Sequence, residues 1–461
     1  MQSIDMKAAA RLIPFVKDAM PVCVAVAIAA TIGLVDVHLA GALGPAVQAG
    51  VGIGDQFLFF AALVGTGIAQ GAGSLIARAT GAANEREANS FAKAGILLSL
   101  MLGVSSSVIT YFSADCLLGL FSQDPNVQNA GATYLKLCTI ANTPYCLMLI
   151  QSAILRASGK SFSTIFPWFV AAAISITLSI SLPLIMPNGA AYQLEYIALG
   201  WNMGAIVAAL IGQNLLKKLG VNNQVDSDFK NKSMQILRLG LPIAATEAAW
   251  LSSNFAMYII LSQMPFANET QAAWTIRLKI EEIVATPAIL AFSMTAASLV
   301  GQRIGAGDMI AARQTSYNAS IAAAAVMFVV GLIVFANSEW LATDCATTAL
   351  SAQFAQQLLV ASVVVFPITA FYMTMFGALE GAGSTLKPML SVLGGLFLFR
   401  IPLAAWIGLF SNGGMNGVVV SIIASQLAVA LSAVSQGKSY FETNHQPIQV
   451  ENIARPLDQR V

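Results

Sequence analysis

The chain has 461 residues, of which 57% are hydrophobic and only 10% charged. A soluble domain carries about 25% charge, so a single soluble core would leave an apolar surface, and the solvent around much of this chain must be lipid. The net charge of +1 gives no electrostatic footprint for nucleic acid, and five cysteines and two histidines show no zinc-like spacing and no nucleophile–base pair, so neither an enzyme nor a cofactor or metal is expected.

A spanning helix needs about 20 mostly apolar residues. Runs bounded by Gly, Pro, Asn and charge predict twelve, at roughly 14–42, 50–76, 91–113, 131–152, 163–186, 194–216, 236–261, 270–300, 316–336, 351–376, 387–410 and 415–436. The first run, from about Pro14, is too long for a signal peptide and lacks a small-residue cleavage site, so it reads as a retained span. Pro21, Pro144, Pro242, Pro287 and Pro367 fall inside spans, where each removes a backbone hydrogen bond and favours a kink. The resulting fold class is all-α and membrane-embedded, with twelve transmembrane helices in two sets of six. An N-lobe covers 1–216, a cytoplasmic linker 217–235, a C-lobe 236–436 and a cytoplasmic tail 437–461.

With the N-terminus inside, nineteen of the 23 Lys and Arg fall on inner segments. The other four, Lys136, Arg277, Lys279 and Arg400, lie within predicted helices, and the six outer loops hold none. This bias predicts a multi-pass protein of the plasma (inner) membrane with both termini cytoplasmic. Asp115-Cys116 and Asp344-Cys345 occupy comparable outer loops. A disulfide there would tie the lobes' outer edges and obstruct their motion, so both cysteines read as free thiols.

Two motif pairs recur at one displacement of 224 residues. Ser74 to Asn84 (SLIARATGAAN) returns as Ser298 to Asp308 (SLVGQRIGAGD), and Arg156 to Ser161 (RASGKS) as Glu380 to Thr385 (EGAGST). Two matches at one offset mark a duplicated half, the usual plan of a secondary transporter, here with both halves running in the same direction. The Gly/Ala-rich loops read as tight structural turns; the P-loop lysine pattern is absent.

These strings resemble the multidrug and toxic compound extrusion (MATE) transporters over nearly the whole chain. Met20-Pro21, Gly33-Leu34-Val35-Asp36 and Leu39-Ala40-Gly41-Ala42-Leu43-Gly44 look like the family's "LP … LVDT … GRLG". Val300 to Asp308 looks like "VGQNIGAGN", Leu155 to Gly159 and Leu379 to Gly383 like its paired "LRGSGD" loops, and Phe399-Arg400-Ile401-Pro402-Leu403 like "FRIPLA". The resemblance implies two six-helix lobes forming a V around a central cavity, and an antiporter that exports amphipathic, often cationic compounds against inward H+ or Na+ flow.

An acid in the bilayer costs about 2.5–3.5 kcal/mol, so each one calls for a function. Asp36 lies about 22 residues into the first span, toward its outer end, and can exchange a proton as its hydration changes; the resemblance implies a functional acid there in the DinF-type branch. A kink at Pro21, fifteen residues earlier, offers one way for protonation to bend this helix. That branch often carries N-x-x-L-D in the fifth helix, where this chain has Ser175-Ile176-Thr177-Leu178-Ser179. Ser175 and Ser179 can hydrogen-bond Asp36 but cannot share its titration, which favours H+ over Na+. The NorM-type acids of helices seven and ten would fall at Trp250 and near Thr369, neither acidic. The chain therefore reads as closer to the DinF type. Glu247, five residues after Pro242, is a second candidate, either for coupling or substrate or as a partner for one of the C-lobe cations.

In the eighth span Arg277 and Glu281 are spaced i,i+4 and Lys279 and Glu282 i,i+3, which places each pair on one face. Lys279-Ile280-Glu281 looks like the family's "RIE", and Arg400 in the eleventh span needs an anionic partner. The bland reading is a buried network that organises the C-lobe. Asp55 and Gln56 read as interfacial at the start of the second helix, and His38 as a packed or interfacial neutral residue. Gln70, Asn142, Asn202, Asn254, Met257, Tyr258, Tyr372 and Met375 are candidates for a weakly charged cavity wall suited to lipophilic cations. The expected partners are small amphiphilic drugs or toxins, H+ with Na+ as the alternative, and the lipid bilayer, for a monomer. A lipid or oligosaccharide-lipid flippase is the runner-up; it calls for a more basic cavity.

Overall fold

The computed structural model describes residues 6–121, 124–186, 192–221, 228–346, 348–411 and 413–443. The N-lobe helices are α1 (Met6–Gly41), α2 (Pro45–Gly81), α3 (Glu85–Phe121), α4 (Pro125–Ala157), α5 (Ile165–Ile185), preceded by a 3-10 turn at Ser161–Thr164, and α6 (Gln193–Lys218). The C-lobe holds α7 (Phe229–Leu261), α8 (Ala267–Ile280), α9 (Thr286–Gly305), α10 (Met309–Ala336), the short α11 (Ser338–Cys345), α12 (Ala349–Val360), α13 (Ser362–Gly381), α14 (Leu386–Leu393), α15 (Ile401–Leu403) and α16 (Gly414–Thr443).

Twelve spans come from these sixteen segments, because several run on into each other. The π-helical turn Glu281–Ala285 joins α8 to α9 in one span, Ala267–Gly305. Two more π segments, Gly394–Arg400 and Ala404–Phe410, flank α15 and make one span of Leu386–Phe410. A break at Ala361 divides the tenth span into α12 and α13. Eleven described helices are long and apolar enough to cross a bilayer. Helix α7, which carries Glu247, Ser252, Ser253 and Asn254, completes the set of twelve.

The helices overrun the predicted spans. The 37 residues of α2 rise about 55 Å, well beyond a hydrocarbon core of roughly 30 Å. Helix α7 starts at Phe229 rather than 236, and α16 runs to Thr443. Most of the predicted linker core, 222–227, and the tail from 444, with His445, lie outside the described residues. Helix α11 was not foreseen. Proline does not interrupt α1, which continues through both Pro14 and Pro21.

Lipid is the physical explanation of the surface. Phe112, Leu184 and Phe410 are each about 80% exposed (79%, 82% and 80%), a distribution that water would not tolerate over so many side chains. Inside the lobes, small residues let backbones approach. A Cβ on Gly50 would lie 2.7 Å from the Gly131 amide of α4. The C-lobe buries one continuous apolar cluster centred on Trp274, Phe366 and Phe376. The N-lobe core is divided into smaller clusters, and buried Asp36, Asn142, Gln151 and Ser152 lie in the same lobe.

The lobes meet along the end that carries the repeated motifs. Ser298 Oγ donates to the Arg156 carbonyl at 3.0 Å and Gln302 Nε2 to the Ala157 carbonyl at 2.9 Å. Deeper in the seam Gly67 and Gly71 of α2 lie against Gly240 of α7, and Phe15 stacks on Phe292 with centroids 5.7 Å apart. Lys232 at the start of α7 bonds Glu87 of α3 at 3.1 Å.

Candidate functional site

Asp36 sits five residues before the end of α1, only 4% exposed. Its described hydrogen-bond partner is Tyr134 of α4, whose hydroxyl donates to Oδ2 across 3.4 Å. Tyr134 packs with Ala40, Val51, Cys138 and Ile197, which fixes its ring and so the direction of its hydroxyl. No Lys or Arg forms an ion pair with Asp36 among the described residues. Asp36 is thus a carboxyl with one long hydroxyl bond and no cation paired with it among the described residues, in a site shut off from solvent.

Ser175 and Ser179 are both fully buried in α5, yet neither bonds Asp36. Their side of α5 packs on Gly200 of α6: a Cβ there would lie 2.6 Å from the Ser175 carbonyl and 2.7 Å from Ser179 Oγ. The hydroxyl expected from α5 is supplied instead by Tyr134 on α4.

Asp55 is the acid whose place was misjudged. It lies not at the start of α2 but ten residues in, half-buried, facing α1: a Cβ on Gly33 would sit 3.4 Å from Asp55 Oδ2. The α1–α2 turn at 42–44 brings residues 36 and 55 to similar depth. Asp55 interacts electrostatically with Asp36 on its own lobe and with Glu282 and Lys279 of the other. It therefore stands between the N-lobe acid and the C-lobe charges. Gln56 and His38 are exposed, as expected of interfacial residues.

The eighth-span pairs form as the spacing predicts. Arg277 and Glu281 meet at 2.6 Å with side chains 6% and 8% exposed, and the guanidinium lies 4.8 Å over the Trp274 ring. Lys279 and Glu282 meet at 2.8 Å on an open face. Arg400, 3% exposed, does not find the carboxylate expected for it. Its Nε donates to Ser425 Oγ at 3.3 Å, with Glu281 and Tyr372 in electrostatic range.

The proposed cavity wall divides. Met257 and Met375 are completely buried in the C-lobe core, so both belong to packing rather than to a wall. Tyr372 is 5% exposed and stacks edge-on against Phe376. Tyr258 is half-exposed and shares a 2.8 Å hydrogen bond with Thr275. Asn202 donates to the Leu137 carbonyl at 2.9 Å, leaving its own carbonyl oxygen free, and Asn142 and Asn254 each keep a buried polar atom without a partner. Gln70 and Glu247 line one small cavity together with Glu380. In the sequence Glu380 belongs to a repeated loop motif, whereas in the structure it lies in the last turn of α13. Trp250 and Thr369 hold no acid, and Thr369 spends its hydroxyl on the Val365 carbonyl. Cys116 and Cys345 are exposed free thiols. No group of three or more His, Cys, Asp or Glu suited to a metal occurs among the described residues.

A model of the MatE family matches residues 21–186 and again residues 242–406, once in each half. The chain belongs to the MatE family. Members of this family are transporters, not enzymes. Probable multidrug resistance protein NorM of Thermotoga maritima is 24% identical over 404 residues, covering 85% of this chain and 84% of its own. Multidrug resistance protein NorM of Burkholderia vietnamiensis is 24% identical over 430 residues, 90% of each chain. Among solved structures, the Vibrio cholerae MATE transporter VcmN, in an aspartate-to-asparagine mutant, superposes with a TM-score of 0.87 at 17% identity, over 96% of this chain and 100% of that one. At that identity the MatE likeness shows the fold, twelve helices in two lobes.

Proposed function

We infer that this chain is a multidrug efflux antiporter of the plasma membrane that exchanges amphipathic, often cationic compounds for H+ by alternating access, with Asp36 as the coupling acid. The observation that carries the reading is a carboxyl buried in α1 with a single long hydroxyl bond and no ion-pair partner among the described residues. Such a group is stable in the membrane when protonated, and water or a cation must reach it before it can ionise. The relatives bear multidrug resistance names, which supports drug-like cargo.

The positive charge on the motif-bearing loops supports a cytoplasmic location for that end. On that orientation the seam is shut on the cytoplasmic side, and we read the conformation as one that opens outward. Asp36 and Asp55 then lie on the open side, where external protons reach them. The lobes would move as units of about residues 1–216 and 236–436, joined by the cytoplasmic linker. The DinF-type assignment rests on Asp36 and on the non-acidic Trp250 and Thr369, although the relatives carry NorM names. Gln70, Asn142, Asn202, Asn254 and Tyr258, with Lys279 on its open face, supply polar anchors for a lipophilic cation in an otherwise apolar space.

The test is ethidium efflux from vesicles driven by an imposed proton gradient, comparing the native chain with Asp36→Asn. Asparagine keeps the size and polarity but cannot exchange a proton, so gradient-driven efflux is expected to vanish while ethidium binding persists. Unchanged efflux in the variant would remove Asp36 from the mechanism. A parallel imposed Na+ gradient separates the ions: Na+-driven efflux at constant pH would replace H+ in the cycle.

A further inference from the structure

The cavity lined by α2 of one half and by α7, α9 and α13 of the other contains two acids that the Asp36 mechanism does not use. Glu247 of α7 and Glu380 of α13 both line it, with Gln70 from α2 of the other lobe and Ser293 from α9. The two carboxylates repel each other electrostatically. Neither has a hydrogen-bond or ion-pair partner among the described residues.

The neutral oxygens are equally unoccupied. Ser293 is only 7% exposed. Unlike most buried serines on a helix it does not return its hydroxyl to a carbonyl one turn back. The Gln70 side chain likewise makes no hydrogen bond among the described residues. Glu380 itself is 8% exposed. Leaving buried polar groups unpaired costs about 1–3 kcal/mol each, more when charged. Glu380 and Ser293 are buried and Glu247 and Gln70 half-buried, and four unpaired polar groups turned onto one space indicate an occupant.

Size and charge define it. The cavity has about 20 Å³ of room for a water-sized particle, roughly the space of one water. That excludes a drug molecule and admits a bare ion. Two carboxylates with amide and hydroxyl oxygens are hard donors suited to a hard cation. Arg156, the repeat counterpart of Glu380, lines the adjoining cavity, which shares Gln70 and Met294, yet it pairs with neither acid. Its place at the same depth of the other lobe leaves Glu380 and Glu247 as the negative side of the seam.

We propose that Glu247, Glu380, Gln70 and Ser293 form a binding site for Na+ on the seam between the lobes. The ion neutralises the two acids of the C-lobe and is capped by the N-lobe amide of Gln70. Its ligands come together only while the motif end is shut, so the bound ion favours that conformation. The site is separate from Asp36, and its occupancy can be read without transport.

The test is equilibrium binding of radiolabelled Na+ to the purified full-length chain, at fixed neutral pH and at constant ionic strength made up with choline chloride. Thermal unfolding is followed in the same titration. The native chain is expected to show saturable binding and a midpoint that rises with Na+ but not with choline. Glu247→Gln and Glu380→Gln should each weaken binding by roughly tenfold or more, equivalent to losing about 1.4 kcal/mol, and should melt like the native chain in choline alone. Asp36→Asn should bind Na+ as the native chain does, so failure of the coupling assignment and failure of this one are distinguishable. The proposal is overturned by absence of saturable binding, by undiminished binding in both glutamine variants, or by binding lost only in Asp36→Asn. A midpoint that follows pH and ignores Na+ would likewise overturn it, since the pair would then be sharing a proton.

Discussion

At the scale of single residues, helical spacing and chain distance decide what a sequence reveals. Arg277 with Glu281, and Lys279 with Glu282, were readable because partners one turn apart are fixed by 3.6 residues per turn. Tyr134 was not, since it stands 98 positions from Asp36 and only the packing of α4 on α2 and α6 delivers it. Asp55 was misplaced because an apolar run does not reveal how far a helix extends past the lipid. The two ion pairs of the eighth span should differ sharply in worth. Arg277→Ala strands Glu281 among side chains that exclude water and is expected to cost about 3–5 kcal/mol. Lys279→Ala removes an exposed pair and should cost about 1 kcal/mol or less. Thermal unfolding in one detergent measures both, and equal losses would mean that the exposed pair is desolvated by the opposite lobe. Tyr134→Phe removes the hydroxyl that donates to Asp36 and also meets the Cys138 thiol. It should cost about 1 kcal/mol of stability and slow proton-driven ethidium efflux several-fold without abolishing it, whereas native-like rates would make the 3.4 Å bond incidental.

At the scale of elements, the duplication is written in backbone angles as well as in letters. Gly159 and Gly383 are repeat counterparts, and both have positive φ, 73° and 87°. Gly307 has φ 77°, and its counterpart Ala83 adopts φ 54°. The next residues, Asn84 and Asp308, cap the following helices with side-chain oxygens that accept from backbone amides at 3.1 Å and 2.8 Å. One turn design thus closes both loops, and in the first it forces an alanine into a left-handed conformation that costs about 1–2 kcal/mol. Nothing lies within 4 Å of a Cβ on Gly307, so Gly307→Ala isolates that backbone cost and should destabilise by about 1 kcal/mol, while Ala83→Gly should not destabilise at all. Differential scanning fluorimetry of the two variants compares them directly. The twelve spans and their order were legible because lipid imposes length and apolarity. The π segments around Glu281 and Arg400 were not. A π turn has no periodicity of its own and shows only as a shift of face, which is how Arg400 ends beside Ser425 instead of a carboxylate.

At the scale of the whole molecule, the shared seam is where the duplicated halves meet. A Cβ on Gly81 would run into the Gln302 carbonyl, and one on Gly305 into the Arg78 carbonyl. Each lobe therefore rests a glycine on the backbone of the other, and the contact repeats under the exchange of halves. Ser298 and Gln302 then fasten the seam to Arg156 and Ala157. Such a closure is all-or-none, because the backbones cannot yield by the distance that a methyl group requires. Gly81→Ala is thus expected to disfavour the shut seam while leaving each lobe intact, and so to shift the population toward conformers open at the motif end. In a background without the five native cysteines, Ser298→Cys reports the seam through its labelling by an impermeant maleimide in inside-out vesicles. Labelling should be slow with Gly81 present and faster by several-fold with Gly81→Ala. Gly119→Ala, where a Cβ meets nothing within 4 Å, should leave the rate unchanged. Equal rates in all three would mean that the seam is not the moving surface, and a pair of lobes joined there permanently could not present Asp36 to two sides in turn.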